Sequence, residues 1–229
     1  MKKIYLTTSL LMLLPLLSLA QKQTDIYFTF GNEFLFQGAS IKDGNNKMNN
    51  NMRFTAFFHV SPLINFDFYR WGGIYTGLAI RNVGYIQDEV PDPDIDKIKR
   101  RSYTLGLPLA IKVGNMEKTF FFVGAEYEWL FHYKEKTFNG NVKSVYKDWF
   151  SNRTPHFMPS VFAGVQFPGG INLKAKYYLT NFLNEDYTDS NGQHPFDGMD
   201  VRIFYVALSF NISTRMARDY AGGSVFVER

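Results

Sequence analysis

The chain has no cysteine. An exported protein of this composition has no disulfide framework, so backbone pairing and packing must hold the fold. It also has no cysteine after its leader to carry a lipid, which argues against a lipoprotein. Beyond the first twenty residues it lacks any apolar run near the ~20 residues that a membrane helix needs. If that part crosses a membrane, it must cross as a closed barrel, because unpaired backbone groups are too costly in lipid. The chain lacks a phosphate-cradling glycine loop, a dinucleotide fingerprint and a zinc motif. His132, His156 and His194 stand apart without metal-ligand spacing, so neither cofactor nor metal is expected. A strong charge imbalance is missing as well. Without Lys2 and Lys3 the chain holds 23 basic against 21 acidic residues, a net charge of +2. No basic cluster with interleaved aromatics points to nucleic acid.

What is there begins with an export signal. Lys2 and Lys3 precede an apolar run from Leu10 to Leu17, and Ser18-Leu19-Ala20 forms a small-x-small cleavage site before Gln21. Residues 1–20 therefore read as a secretory signal peptide, residues 21–212 as one β-domain, and 213–229 as a short, loose C-terminal tail.

Aromatic residues make up 17% of the chain, and they alternate with polar ones. Strands are expected near 24–38, 52–68, 73–87, 100–114, 119–136, 155–167, 171–184 and 200–212. In the fourth, Tyr103, Leu105, Leu107, Leu109, Ile111 and Val113 oppose Thr104, Gly106, Ala110 and Lys112. In the fifth, Phe121, Val123, Ala125, Tyr127, Trp129, Phe131 and Tyr133 oppose Gly124, Glu126, Glu128 and His132. In the second, Phe54, Phe58, Val60, Ile64 and Phe66 oppose Arg53, Thr55, His59, Ser61, Asn65 and Asp67. Period-two patterning over such lengths is a strand signal. The connections alternate in size: 69–72, 115–118 and 168–170 are short turns, whereas 39–51, 88–99, 137–154 and 185–199 are long and polar. Outer-membrane barrels have this rhythm, with short periplasmic turns and long outer loops. The expected fold is all-β: an eight-stranded antiparallel up-and-down transmembrane β-barrel, monomeric, in the outer membrane, with both termini periplasmic.

Pattern alone leaves open which face points inward. Three features favour charges inside and aromatics outside. The strands, at roughly 13–18 residues, exceed the ~5–6 usual in soluble sheets. The polar face carries Gly31, Gly77, Ala79, Gly106, Gly124 and Gly164, which leave room for long charged groups in a narrow interior. Trp71, Tyr103, Trp129, Tyr133 and Phe167 fall near strand ends, where aromatic girdles sit. The interior then holds Glu33, Asp67, Glu126 and Glu128 against Arg53, Arg81, Lys112, Lys174 and Lys176. Buried charges persist when paired and hydrogen-bonded, so these nine are expected to form an ion-pair network that plugs the barrel. The rival is a narrow ion path through them.

Gly84-Tyr85, Leu107-Pro108-Leu109 with Lys112, Phe121-Phe122-Val123-Gly124-Ala125 and Leu130 resemble the outer-membrane β-barrel family of Bacteroidota, the porin-family proteins that include PorT-like members. The resemblance implies an eight-stranded outer-membrane barrel. For PorT-like members it implies a place in type IX secretion. Pro108 cannot donate to a ladder, so it is expected at a bulge or an unpaired position. The preferred role is structural or interactive, with membrane lipids, lipopolysaccharide and envelope proteins as partners; a small porin, a secretion component and a lipid A-modifying enzyme are the alternatives.

The enzyme alternative rests on His59-Val60-Ser61, the chain's closest His/Ser pair, which needs hydrogen-bond contact and an orienting acid to form a nucleophile. Its polar parity points inward instead. Asp92-Pro93-Asp94-Ile95-Asp96 has alternating acids like a calcium loop but lacks the turn glycine and closing glutamate. Lys97, Lys99, Arg100 and Arg101 follow at once, placed to contact lipopolysaccharide phosphates.

Overall fold

The computed structural model describes residues 24–222 except Glu89 and Pro91; the expected signal peptide lies outside the described residues. Thirteen strands form one antiparallel sheet: β1 (Asp25–Asp43), β2 (Asn46–Met48), β3 (Asn50–Asn51), β4 (Arg53–Thr55), β5 (Val60–Tyr69), β6 (Gly72–Gly77), β7 (Ala79–Gln87), β8 (Lys97–Gly114), β9 (Phe120–Asn139), β10 (Val142–Trp149), β11 (Phe157–Gln166), β12 (Ile171–Tyr178) and β13 (Met199–Ser213). A helix, α1 (Thr214–Gly222), follows. The sheet closes on itself. β1 pairs with β13 over Thr29–Asp43, and β8 pairs with β9 along its whole length. Counting β4 with β5 and β6 with β7 as interrupted single spans, eight antiparallel spans go round the ring in chain order. The result is an eight-stranded up-and-down barrel.

The faces sort as the alternation predicts. Leu107, Leu109, Ile111 and Val113 of β8 point outward and are exposed, as are Phe121 and Val123 of β9 and Phe204, Val206 and Phe210 of β13. Glu33, Arg81, Lys112, Glu126, Glu128 and Lys176 point inward and are buried. The glycines make room for them. A Cβ on Gly106 would stand 1.9 Å from Glu126 Oε1, and one on Gly164 would stand 2.3 Å from the Phe122 ring. Pro108 lies opposite the interruption between β6 and β7, where no ladder bond is asked of it. There its carbonyl accepts from the Thr76 hydroxyl at 2.8 Å.

Several elements depart from the sequence reading. The 39–51 connection is largely strand, because β1 runs to Asp43 and turns at Gly44 (φ 55°) into β2. The 137–154 connection is a hairpin of β9 and β10 turning at Gly140 (φ 51°). The last long connection is not a polar loop. β12 stops at Tyr178, and the segment after it folds inward, burying Phe182, Leu183 and Phe196 against Leu35, Ile41, Tyr85 and Val201. Asn181 fixes that turn: its carbonyl oxygen accepts from the Leu183 and Val201 amides at 3.1 and 2.9 Å. The expected loose tail begins as α1, whose start docks on the short-turn end.

The wall has two irregularities. β9 carries an extra residue, Phe131, between the pairs Thr104–Leu130 and Tyr103–His132. That bulge shifts the phase, so Tyr133 faces inward and is buried rather than joining the outer girdle. The second span loops out between β4 and β5. Phe57 and Phe58 are both exposed there, and Phe58 has φ 64°.

Candidate functional site

The barrel interior is filled in tiers. In the central tier four spans each contribute charge: β1 gives Glu33, β7 Arg81, β9 Glu126 and Glu128, and β12 Lys174 and Lys176. Arg81 Nε donates to Glu33 Oε2 at 2.9 Å, and its Nη1 donates to Glu126. Lys174 donates to Glu33 at 2.6 Å. Lys176 donates to Glu126 at 2.7 Å and also to Glu128. Glu128 accepts from the Tyr178 hydroxyl at 2.8 Å. Ser61 donates to Glu33 at 3.2 Å. Three carboxylates thus meet three cations across the width of the barrel, and the group is electrically balanced. Buried charge is tolerable in this form, with every head group paired and hydrogen-bonded.

Towards the short turns, the rings of Tyr75, Phe122 and Phe162 pack together at centroid separations of 5.7–6.2 Å. Below them lies a second ionic tier. Lys112 Nζ donates to Asp67 at 2.5 Å, Asn65 at 2.9 Å and the Tyr27 hydroxyl at 3.2 Å. Arg215, from α1, donates to Asp67 at 2.6 Å, to Asp25 at 2.5 and 2.8 Å and to the Met116 carbonyl at 3.0 Å. Its guanidinium lies 4.0 Å from the Tyr27 ring centroid. Partial burial pulls the Arg215 pKa down, but its hydrogen bond to Asp67 and the neighbouring Tyr27 and Asp25 outweigh it, so the group sits above its ordinary value. Removing Arg215 strips charge-assisted bonds from a partly exposed site. Arg215→Ala should therefore cost ~1–2 kcal/mol, seen as a lower midpoint for urea-induced loss of the compact gel band.

At the other end Arg100 Nε donates to Glu135 at 2.7 Å, Tyr133 donates to the same carboxylate at 2.8 Å, and Arg153 lies 3.9 Å from it. The Arg100 guanidinium also covers the Phe196 ring at 5.4 Å.

Of the nine residues expected in one network, eight form ion pairs, but in two separate groups, with Asp67 and Lys112 apart from the central six. Arg53 belongs to neither. It reaches into the gap in the wall between β4 and β7, where it donates to Gln37 at 3.2 Å and to the Asn82 carbonyl and side chain at 3.1 and 2.7 Å. There it replaces missing ladder bonds. Glu135, Arg153, Arg215 and Asp25 escaped the sequence reading. Glu135 and Tyr133 were hidden by the β9 bulge, and Arg215 by a tail with no strand pattern. The basic run 97–101 splits by parity: Arg100 turns inward to Glu135, while Lys99 and Arg101 face out.

His59 and Ser61 do not form a pair. The His59 ring bonds Thr55 Oγ1 at 2.8 Å through Nε2 and accepts from the Asn82 amide at 3.3 Å through Nδ1. Ser61 engages Glu33 and Arg81. The acids at 92–96 also separate. Asp92 caps its own turn through the Asp94 amide at 3.0 Å, and Asp96 accepts from the Gly140 amide at 2.6 Å.

Comparison with known proteins gives fold-level likeness alone. The sequence matches no protein-family profile and no curated protein. Among solved structures, Neisserial surface protein A aligns with 83% of this chain and 98% of its own at 12% identity and TM-score 0.40. Ail, the attachment invasion locus protein of Yersinia pestis, aligns with 82% and 97% at 10% identity and TM-score 0.34. The outer membrane protein OprG from Pseudomonas aeruginosa aligns with 82% and 95% at 11% identity and TM-score 0.35.

Proposed function

We propose that this chain is an outer-membrane barrel with an occluded interior, serving a structural or interaction role rather than conducting or catalysing. The carrying observation is the inversion of its faces: an apolar outer wall around a balanced ionic interior. Such a wall is stable where lipid covers it. The outward residues of β8 from Tyr103 to Val113 run ten steps, about 34 Å at ~3.4 Å each. At the usual tilt of ~35–45° this spans close to the ~25 Å apolar band of outer-membrane barrels. Among the described residues no helix is long and apolar enough to cross a membrane.

The short-turn end then faces the periplasm with both termini, and the long connections face outward. The short-turn end holds a cavity of about 170 Å³ that reaches Glu33 and Lys174. The central ionic tier lies beyond it, and above that the Phe182–Phe196 cap. These two layers are what supports an occluded interior. The resemblance to Bacteroidota porin-family barrels is part of this reading, supported by Pro108 lying opposite the β6–β7 interruption. Lipids, lipopolysaccharide and envelope proteins are the partners such a monomeric barrel would meet.

Membrane fractionation with gel migration before and after boiling tests the barrel and its membrane. An outer-membrane band that shifts on heating is expected; a soluble band without a shift would sink the reading. In planar bilayers the purified protein should add no steps of constant conductance, and steps that scale with protein added would make it a channel. Because the chain has no cysteine, orientation is simple to read. An impermeant maleimide on intact cells should label Asn45→Cys and leave Lys118→Cys unlabelled.

A further inference from the structure

Above the aromatic edge of the wall, the outward faces of β8, β9 and β10 carry cations directly opposite one another. Arg101 pairs in register with Lys134, which pairs with Lys147; Lys99 pairs with Lys136. Lys143 stands beside Phe138 in the next row. Like charges directly opposite on a sheet repel, so this arrangement works against the fold. Among the described residues, none of Lys99, Arg101, Lys134, Lys136, Lys143 and Lys147 has a carboxylate within 4.0 Å; Lys99 and Arg101 lie over the Phe138 and Tyr103 rings at 5.4 and 5.6 Å. Lys97, at the rim, does have a carboxylate, 3.2 Å away on Asp88. Among the described residues, buried Arg101 Nε has no hydrogen-bond partner. A depression of about 80 Å³ is lined by Arg53, Lys99, Arg100, Arg101, Lys134 and Lys136, with no acid in the lining among the described residues. At ~30 Å³ per water molecule, it has room for a tetrahedral oxyanion.

The row immediately below fixes the source of that anion. Tyr103, His132 and Trp149 lie side by side across the same three strands, and Phe131 stacks on Tyr103 and Trp149 at 6.3 and 6.1 Å. Below those rings the same outward parity is apolar. A ligand seated on the cations would therefore run its remainder down over rings and aliphatic side chains, as a lipid does. We infer that the Arg53–Lys99–Arg101–Lys134–Lys136 surface binds the phosphate of a phosphorylated lipid headgroup in the leaflet at the long-loop end. Arg101 supplies a forked donor suited to phosphate, the lysines supply point charge, and Arg53, held by Gln37 and Asn82, adds its charge at the edge. The bound phosphate neutralises the cross-strand repulsion and ties the β9–β10 hairpin to the membrane surface. This revises the phosphate contact expected of Lys97, Lys99, Arg100 and Arg101: Lys97 pairs with Asp88 and Arg100 with Glu135, while Arg53, Lys134 and Lys136 join from neighbouring strands.

The proposal rests on the membrane reading, and its test keeps the two apart. The full chain is purified in a neutral detergent, and retention of diphosphoryl lipid A is measured by native mass spectrometry and by titration. The combined variant Arg101→Gln, Lys134→Gln, Lys136→Gln should bind at least tenfold more weakly. A charge-matched control, Lys42→Gln, Lys47→Gln, Lys118→Gln, should bind as the unaltered chain does. Millimolar inorganic phosphate should fail to displace the lipid. Lys134→Glu should raise the thermal midpoint in lipid-free detergent, since it turns two repulsive cross-strand pairs into attractive ones, while lowering lipid retention. That opposition is not expected of a residue with a purely structural role. Equal retention by the triple variant and the control overturns the proposal, as does full displacement by free phosphate. Gel heat-shift is recorded for every sample. A heat-shifting barrel with undiminished retention fails this inference alone, whereas an unaltered chain without the shift fails the membrane reading.

Discussion

Arg81→Ala should lower the unfolding free energy by ~3–5 kcal/mol, the range for removing one partner of a buried ion pair. Arg81 is 2% exposed and is the link between Glu33 and Glu126. Without it the central tier holds three carboxylates against Lys174 and Lys176, and one negative charge is left uncompensated in a closed interior. Lysine is a poor substitute. One ammonium on a flexible stem cannot reproduce the forked contacts that reach both Glu33 and Glu126, so Arg81→Lys should recover only part of the loss. Adding Glu126→Gln to Arg81→Ala restores charge balance and should recover stability, a non-additivity expected of groups sharing one network. Reversible urea unfolding in detergent, followed by loss of the compact gel band, measures all four proteins. A loss below ~1 kcal/mol for Arg81→Ala would mean that water reaches the tier freely and that the interior is open.

Much of this tier was legible because strand parity is strict. A period of two assigns every residue of an unbroken strand to one face, and Glu33, Arg81, Glu126, Glu128, Lys174 and Lys176 all lie on such stretches. The reading failed where the period breaks. One extra residue at Phe131 moved Tyr133 from the outer girdle to the interior and brought Glu135 in to meet Arg100. Such a bulge leaves no mark in an aromatic run where Trp129, Phe131 and Tyr133 each suit either face. The excursion at Phe57–Phe58 detached β4 from β7, and there Arg53 bonds backbone instead of carboxylate. Distance along the chain hid the rest. Phe182 and Leu183 end a segment that reads as strand to 184, and Phe196 sits among asparagines, aspartates and glycines that read as a solvated loop. Their burial depends on Val201 and Tyr85, which only the closed ring brings near. Arg215 meets Asp67, 148 residues earlier in the chain, by the same closure. Local pattern thus specified the wall, whereas the contents of its two ends depend on long-range contacts.

Leu109→Arg is the second large effect, and it bears on the wall rather than the interior. Leu109 is 59% exposed, near the middle of the outward apolar stretch of β8, between Ala125 of β9 and Thr76 of β6. In water an arginine there would be neutral or mildly favourable, because an exposed sheet face accepts charge. In lipid it should cost ~2–4 kcal/mol, the range for a cation facing the midplane of an outer-membrane barrel. Val142→Arg supplies the comparison. It adds the same group to the same kind of surface at the tip of the β9–β10 hairpin, beyond the cationic rows, and should change stability by less than ~0.5 kcal/mol. Urea unfolding of both variants from neutral phospholipid vesicles gives the difference directly. A large gap between them locates the lipid boundary between height 109 and height 142. Two small values would mean that the Leu107–Val113 face is wet. The charged interior would then be a core built inside out, with no solvent to favour it; that makes lipid around the outer face the physical condition for this fold.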